Sequence, residues 1–431
     1  MHLQLPLIHR LHFEAELSQH QPDFAQLSEV FGYHAHGYSP IDHTGSRYGA
    51  REKLYCLCAF PLLVIEPAKF KPACRVFFDE AALDPAYVYE LAGGRVSDDY
   101  LARVLFAAQG CTARAWGRCL RAAPSAGATY PLQAYAIVRD VEGLEPGFYR
   151  YLSTAPLTHR LERVSSDVWE GGGAFAVVFT ETPERTTSVY GERGYMYVRE
   201  EVGHAAQGSI LEASALGLTA RVDEAPPSFG KLAEIKIEVG RRGTRSLLRE
   251  VPEGDLPKPP KPKMPLEEAI VARRSVREYS DEPVELAELS GMLAWTLGGS
   301  LRSYPPLRGS YRVSCYVVAR RVKGLKPGIY EYSPFANALE LIGTGDYARK
   351  LAYACLGQEW VARAALNIVL CDREGSELAE VEAGMVGQGL YLAATSLGLG
   401  TVAVGAFYDD EVASVLGVSE RPLYVFPVGK V

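Results

Sequence analysis

Short apolar, β-branched runs alternate along this chain with longer stretches whose apolar residues recur every three or four positions. The first pattern suits strands buried on both faces, the second helices with one face toward a core. In the C-terminal part, 311–319 and 365–371 read as buried strands, while 265–274, 284–297 and 380–396 read as helices. The helix at 380–396 carries small residues along one face, and 399–407 returns to a strand or loop. From about residue 96 the N-terminal part follows the same order, which makes each part read as an α/β unit.

The shared order reflects a repeat. Val-Glu-Gly-Leu-Glu-Pro-Gly-Phe-Tyr-Arg-Tyr at 141–151 matches Val-Lys-Gly-Leu-Lys-Pro-Gly-Ile-Tyr-Glu-Tyr at 322–332 in seven of eleven positions, an offset of 181. Segments 201–218 and 382–399 share Glu, Gly, Gln, Gly, Leu, Ala, Leu, Gly and Leu at the same offset. Two separated blocks in one register mark a tandem duplication. Between them, 251–265 is rich in proline and lysine, an extended and semi-rigid composition that continues neither helix nor sheet. The expected organisation is an extension over 1–95, copy one over 96–250, a linker over 251–265 and copy two over 266–431.

Composition narrows the function. Of the 431 residues 48% are hydrophobic and 23% charged, and the net charge is -7. No block of like charge points to nucleic acid or an anionic membrane. The longest fully apolar run, 54–65, is too short to span a bilayer and contains Pro61. The N-terminus lacks the pattern of a signal peptide, so the expected compartment is the cytoplasm. Eight cysteines, mostly isolated, read as reduced core residues. Seven of nine histidines fall within the first 43 residues, without the Cys/His spacing of a metal site, and no metal is expected.

Two motifs carry chemistry. Arg273, Arg274, Ser275 and Arg277 cluster at the end of the first helix of copy two. Guanidinium forks and a hydroxyl suit a phosphate dianion; the same residues also suit a solvated basic helix end. Pro124, Ser125, Ala126 and Gly127 form a small-residue loop before a strand, which lets a flat ligand approach the backbone or serves as a plain turn.

Together, the Arg-Arg-Ser-x-Arg start, the Pro-Ser-Ala-Gly loop and the Glu-x-Gly-x-x-x-Gln helix ending in Leu-Gly-Leu resemble the nitroreductase superfamily. The Gly-Leu-Glu-Pro-Gly-Phe-Tyr-Arg-Tyr phrase at 143–151 resembles its SagB-type dehydrogenase branch, whose best-known members oxidise azoline rings in modified peptides. The resemblance implies an α+β, three-layer fold that binds FMN between two subunits, here the two copies of one chain acting as a pseudo-dimer. It implies that Arg273, Arg274 and Ser275 hold the phosphate and that Arg277 lies near the flavin pyrimidine. Pro124, Ser125, Ala126 and Gly127 would face the ring from the other copy, and Val404, Gly405 and Ala406 would line it. Many relatives carry further basic residues after the last strand; here Lys430 is the candidate. Tyr190 matches a catalytic tyrosine, but relatives that oxidise azolines place a lysine directly before it, where this chain has Val189.

The copies diverge in complementary ways. Copy one keeps Pro-Ser-Ala-Gly, whereas copy two has Pro305-Pro-Leu-Arg308 at the same offset; copy two keeps the arginine run, which copy one lacks. One complete site results, from the body of copy two and the loop of copy one, so one FMN is expected per chain. The expected activity is hydride transfer to or from flavin on a small molecule or modified peptide, with NAD(P)H a candidate donor. The competing reading is a flavin-binding scaffold that serves a partner enzyme.

Overall fold

The computed structural model describes residues 68–224, 235–250 and 253–431; the histidine-rich start, the apolar run at 54–65 and Cys56 and Cys58 lie outside them. The first half builds a sheet from β1 (Ala68–Lys69), β2 (Tyr89–Ala92), β5 (Leu132–Val138), β6 (Gly147–Leu152), β7 (Thr158–Ser165), β8 (Phe175–Glu181), β9 (Leu218–Glu224) and β10 (Ile235–Arg245). A separate hairpin joins β3 (Cys111–Ala115) to β4 (Arg118–Arg121). The main sheet runs β1-β7-β6-β5-β8-β10-β2, with β9 also on β10. In the second half, β11 (Val284–Glu285) and β13 (Val322–Lys323) form a small parallel pair. Its main sheet contains β12 (Val313–Ala319), β14 (Gly328–Ser333), β15 (Ala338–Thr344), β16 (Leu366–Asp372), β17 (Leu399–Thr401) and β18 (Arg421–Lys430).

The second sheet runs β15-β14-β12-β16-β18-β17, which repeats β7-β6-β5-β8-β10-β9 strand for strand. The strands at 311–319 and 365–371 expected from sequence are β12 and β16, buried at every position. All the ladders of both main sheets are antiparallel. Because β1 and β2 join the first sheet, the elements of the first half begin ahead of residue 96.

Helices of the two halves meet in pairs. They are α1 (Phe78–Leu83), α2 (Asp98–Gln109), α3 (Glu184–Tyr190), α4 (Arg193–Ala215), α5 (Leu266–Ala272), α6 (Leu286–Thr296), α7 (Ala348–Ala354), α8 (Glu359–Arg363), α9 (Glu377–Leu397) and α10 (Asp409–Leu416). The entries to α1 and α5 bridge each other at Phe77 and Pro265. The long helices α4 and α9 cross where two glycines face the opposite backbone. A Cβ on Gly203 would stand 1.9 Å from the Val381 carbonyl oxygen, and one on Gly384 would stand 2.0 Å from that of Glu200. Both pairs are 181 residues apart, so the contact has internal two-fold pseudo-symmetry. One apolar core runs through both halves, from Phe78, Val202 and Ile210 to Met292, Leu390 and Phe426. Burial of this continuous surface holds the halves together.

The Pro/Lys segment forms no helix or strand over 253–264 and lies along the second half. Ser290 donates to the Pro257 carbonyl at 2.6 Å, and the Lys263 N–H to that of Ser396 at 2.6 Å. None of the helices among the described residues is long and apolar enough to cross a membrane.

Candidate functional site

Every piece of the site is placed by the crossing of the halves. The β3–β4 hairpin turns at Trp116 and Gly117, with φ of 50° and 74°, and delivers the chain to the loop at 122–130. Cys111 and Cys119 face each other across this hairpin as a disulfide, with Cα atoms 5.4 Å apart. That corrects the expectation that all the cysteines are reduced: a spacing of eight brings two cysteines together only when a hairpin closes between them. The loop is tied down by its own polar groups. The Ser125 hydroxyl accepts the Tyr130 N–H at 2.9 Å, the Thr129 hydroxyl donates to the Ala126 carbonyl at 2.9 Å, and Gly127 takes φ 56°.

Arg273, the residue that ends α5, reaches this loop from the other half. Its Nε donates to the Ala122 carbonyl and its Nη2 to the Arg121 carbonyl, each at 3.0 Å, while its buried Nη1 has no partner. The guanidinium stacks 5.0 Å over the Tyr391 ring. The Tyr391 hydroxyl lies 3.0 Å from Ser275 Oγ and accepts the Ala403 N–H at 2.8 Å, which ties the arginine run to the segment holding Val404, Gly405 and Ala406. Arg274 is half-buried and folds its Nη1 onto the Val271 and Arg273 carbonyls at 2.9 and 2.7 Å. Ser275 and Arg277 remain exposed, with Arg277 stacked 5.5 Å from the Trp360 ring.

Tyr190, at the end of α3, is half-buried. Its hydroxyl lies 2.6 Å from where a Cβ on Gly127 would be, so a side chain at 127 would displace it. Burial raises its phenol, and the charge of Arg277 pulls weakly the other way. Its ring meets Tyr197 edge-on at 5.2 Å, and Tyr197 in turn packs on Gly405, where a Cβ would come within 2.5 Å. Arg193 donates to the Gly405 carbonyl at 2.8 Å and pairs with Asp409 at 2.8 Å. The structure therefore brings together Arg273, Arg274, Ser275 and Arg277, the 124–127 loop, Tyr190 and the 404–406 segment. Lys430 stands elsewhere: its ammonium pairs with Glu288 at 2.5 Å, which matches its charge within the fold.

Sequence reading missed Gln388, Tyr391, Arg193 and Tyr197. Gln388 was visible only as part of the repeat: its Nε2 donates to the Ala122 carbonyl at 3.3 Å, as Gln207 donates to that of Ser303 at 3.2 Å. Each glutamine holds the loop of the opposite half.

The opposite crossing is closed. Asp84 ends α1 as Arg273 ends α5, and it pairs with Arg242 at 2.6 Å. A carboxylate stands there in place of an arginine. Across from it, Tyr304 replaces Ala123 and is fully buried, with its hydroxyl 3.0 Å from Glu382. Arg302 pairs with the same carboxylate at 3.1 Å, and Tyr87 donates to the Arg302 carbonyl at 2.5 Å. Arg308 takes φ 49° where the other loop has Gly127.

The two halves share one α+β strand order, and Arg273 and Gln388 of the second half bond the Ala122 carbonyl of the first. The chain belongs to the nitroreductase family, whose model matches residues 88–230 and 270–430, one segment in each half. A relative from Methanocaldococcus jannaschii, named as a nitroreductase, is 37% identical over 180 residues, 38% of this chain and 90% of its own. A crystal structure described as a nitroreductase from Anabaena variabilis has a TM-score of 0.65 at 24% identity, covering 77% of this chain and 88% of its own. Another from Ralstonia eutropha, at 25% identity and a TM-score of 0.34, covers 43% of this chain and 99% of its own. Family membership makes this chain an oxidoreductase of nitroreductase type.

Proposed function

We propose that this chain is an FMN-dependent oxidoreductase of the SagB-type branch, formed by fusion of two copies, with one composite flavin site. The observation that carries the reading is Arg273. A buried guanidinium links the second half to the loop of the first and keeps one nitrogen without a partner. A buried donor of this kind is costly unless a ligand completes it, and a phosphate is its natural complement.

Arg273, Arg274 and Ser275 would hold the phosphate, and Arg277 would face the pyrimidine side of the ring, where a cation favours the reduced anion. The 124–127 loop and the 404–406 segment, both free of bulky side chains, would flank the ring. FMN when bound supplies a two-electron hydride carrier. The protein's share is to exclude water with the Tyr190–Tyr197 pair, to orient the substrate, and to donate a hydrogen bond from the protonated Tyr190 hydroxyl. The substrate is a small molecule or a modified peptide, with NAD(P)H as a candidate hydride donor.

Titrating apoprotein with FMN tests the assignment. Arg273→Ala or Arg277→Ala should weaken binding about ten- to a hundredfold, the value of a charge-assisted hydrogen bond. Arg308→Ala, in the closed crossing, should leave it nearly unchanged. Equal losses from all three would assign the flavin to the wrong crossing.

A further inference from the structure

The two glutamines that hold the crossed loops are themselves held differently. Gln388 Nε2 donates to the Ala122 carbonyl at 3.3 Å, and its Oε1 lies 3.3 Å from Nδ1 of His204 on α4. Gln207, 181 residues earlier, donates to the Ser303 carbonyl at 3.2 Å, but its buried Oε1 has no partner among the described residues. The histidine is not repeated either: 181 residues after His204 stands Met385.

The ring sits in a place shaped for it. A Cβ on Gly387 would stand 2.7 Å from His204 Cε1 and 2.9 Å from Phe426 Cζ, so glycine at 387 makes the room. The symmetric position carries Ala206. Histidine and glycine therefore occur together beside Gln388, with methionine and alanine at the matching positions of the other crossing. His204 also meets the edge of Tyr391 at 6.0 Å, and Tyr391 is the ring beneath the Arg273 guanidinium.

The partners decide where the ring proton lies. An amide oxygen only accepts, so with Gln388 Nε2 committed to the Ala122 carbonyl, Nδ1 of His204 carries the proton. Burial pulls the imidazole down to about 3, so the ring is neutral and its Nε2 bears no proton. That nitrogen has no partner among the described residues. The other tautomer would turn the amide over and set its oxygen against the Ala122 carbonyl. That same carbonyl accepts Arg273 Nε at 3.0 Å.

Resting on the flavin reading above, we infer that His204 is a positioning residue of the composite site: through the Gln388 amide it fixes the Ala122 carbonyl on which Arg273 is aimed. The chain runs His204 Nδ1, Gln388, Ala122, Arg273, and it ends at the Arg273 Nη1 proposed to meet the phosphate. The closed crossing keeps its glutamine but lacks the histidine that would orient it.

Two measurements test this. In the apoprotein labelled with ¹⁵N-histidine, the resonances of His204, assigned by their loss in either variant below, should show a protonated Nδ1 and an unprotonated Nε2. A ring protonated only at Nε2 overturns the inference whatever the flavin does. FMN titration is the second. His204→Met, which copies the other crossing, should weaken binding about three- to tenfold, the value of a neutral hydrogen bond, whereas His204→Asn, which keeps an N–H near the place of Nδ1, should stay within about twofold of wild type. In a Gln388→Met background, His204→Met should cause no further loss, because the histidine acts through that amide. No loss in His204→Met, a loss that asparagine does not restore, or one that persists without Gln388 overturns the inference alone. A wild-type chain that takes up no FMN overturns the reading on which it rests.

Discussion

Replacing Gly384 with alanine should destabilise the whole chain by about 3 kcal/mol or more, although alanine is the better helix former. An exposed mid-helix glycine would gain up to about 1 kcal/mol from the same change. Here the new methyl would stand 2.0 Å from the Glu200 carbonyl oxygen and 3.0 Å from the Gly203 Cα, both backbone atoms of a facing helix. Backbone cannot yield as a flexible side chain does, so α4 and α9 must separate, and the continuous core of the two halves opens with them. The separation would also carry Arg273 away from the Arg121 and Ala122 carbonyls, so flavin affinity should fall although residue 384 touches none of the proposed ligands. Urea unfolding followed by fluorescence and circular dichroism measures the first effect, and FMN titration the second. An alanine variant as stable as wild type would mean that the helices do not meet at these glycines.

Thiazole formation from a thiazoline-bearing peptide should run about 10²–10⁴-fold below that of lysine-bearing SagB-type relatives, even with FMN fully bound. Taking a proton from carbon requires a positioned base with a pKa near the working pH. Val189 offers none, and its side chain is 60% exposed. Tyr190 is in place beside Gly127, but burial raises its phenol and the pull of Arg277 does not reverse that. A tyrosine that stays protonated at neutral pH donates a hydrogen bond and cannot accept the proton. Mass spectrometry of the peptide, following the loss of two hydrogens, measures the rate. Turnover comparable with lysine-bearing relatives, and unaffected by Tyr190→Phe, would show that another group is the base.

The shared fold was legible because the segments that build it are those under the tightest packing. The 141–151 and 322–332 blocks lead into β6 and β14, and the Glu-x-Gly-x-x-x-Gln helices cross at Gly203 and Gly384, where nothing larger fits. The arginine run and the Pro-Ser-Ala-Gly loop were visible as motifs, and the structure brings them into contact through Arg273. The elements ahead of residue 96 were hidden for a physical reason. With Asp84 in the place of Arg273, the start of the first half carries no arginine run, and α1 stands out of the 181-residue register. Insertion of the β3–β4 hairpin between α2 and the loop shifted that register, and the same hairpin joins two cysteines that look isolated in sequence.

The proposed flavin site is single, assembled from the body of the second half and the loop of the first. Counting FMN per chain tests it most directly: the protein is reconstituted with excess FMN, freed of unbound flavin by gel filtration, and denatured so that released FMN can be measured against protein concentration. The expected result is close to one FMN per chain, because Asp84 and Tyr304 close the second crossing. Two per chain, or none, would contradict it.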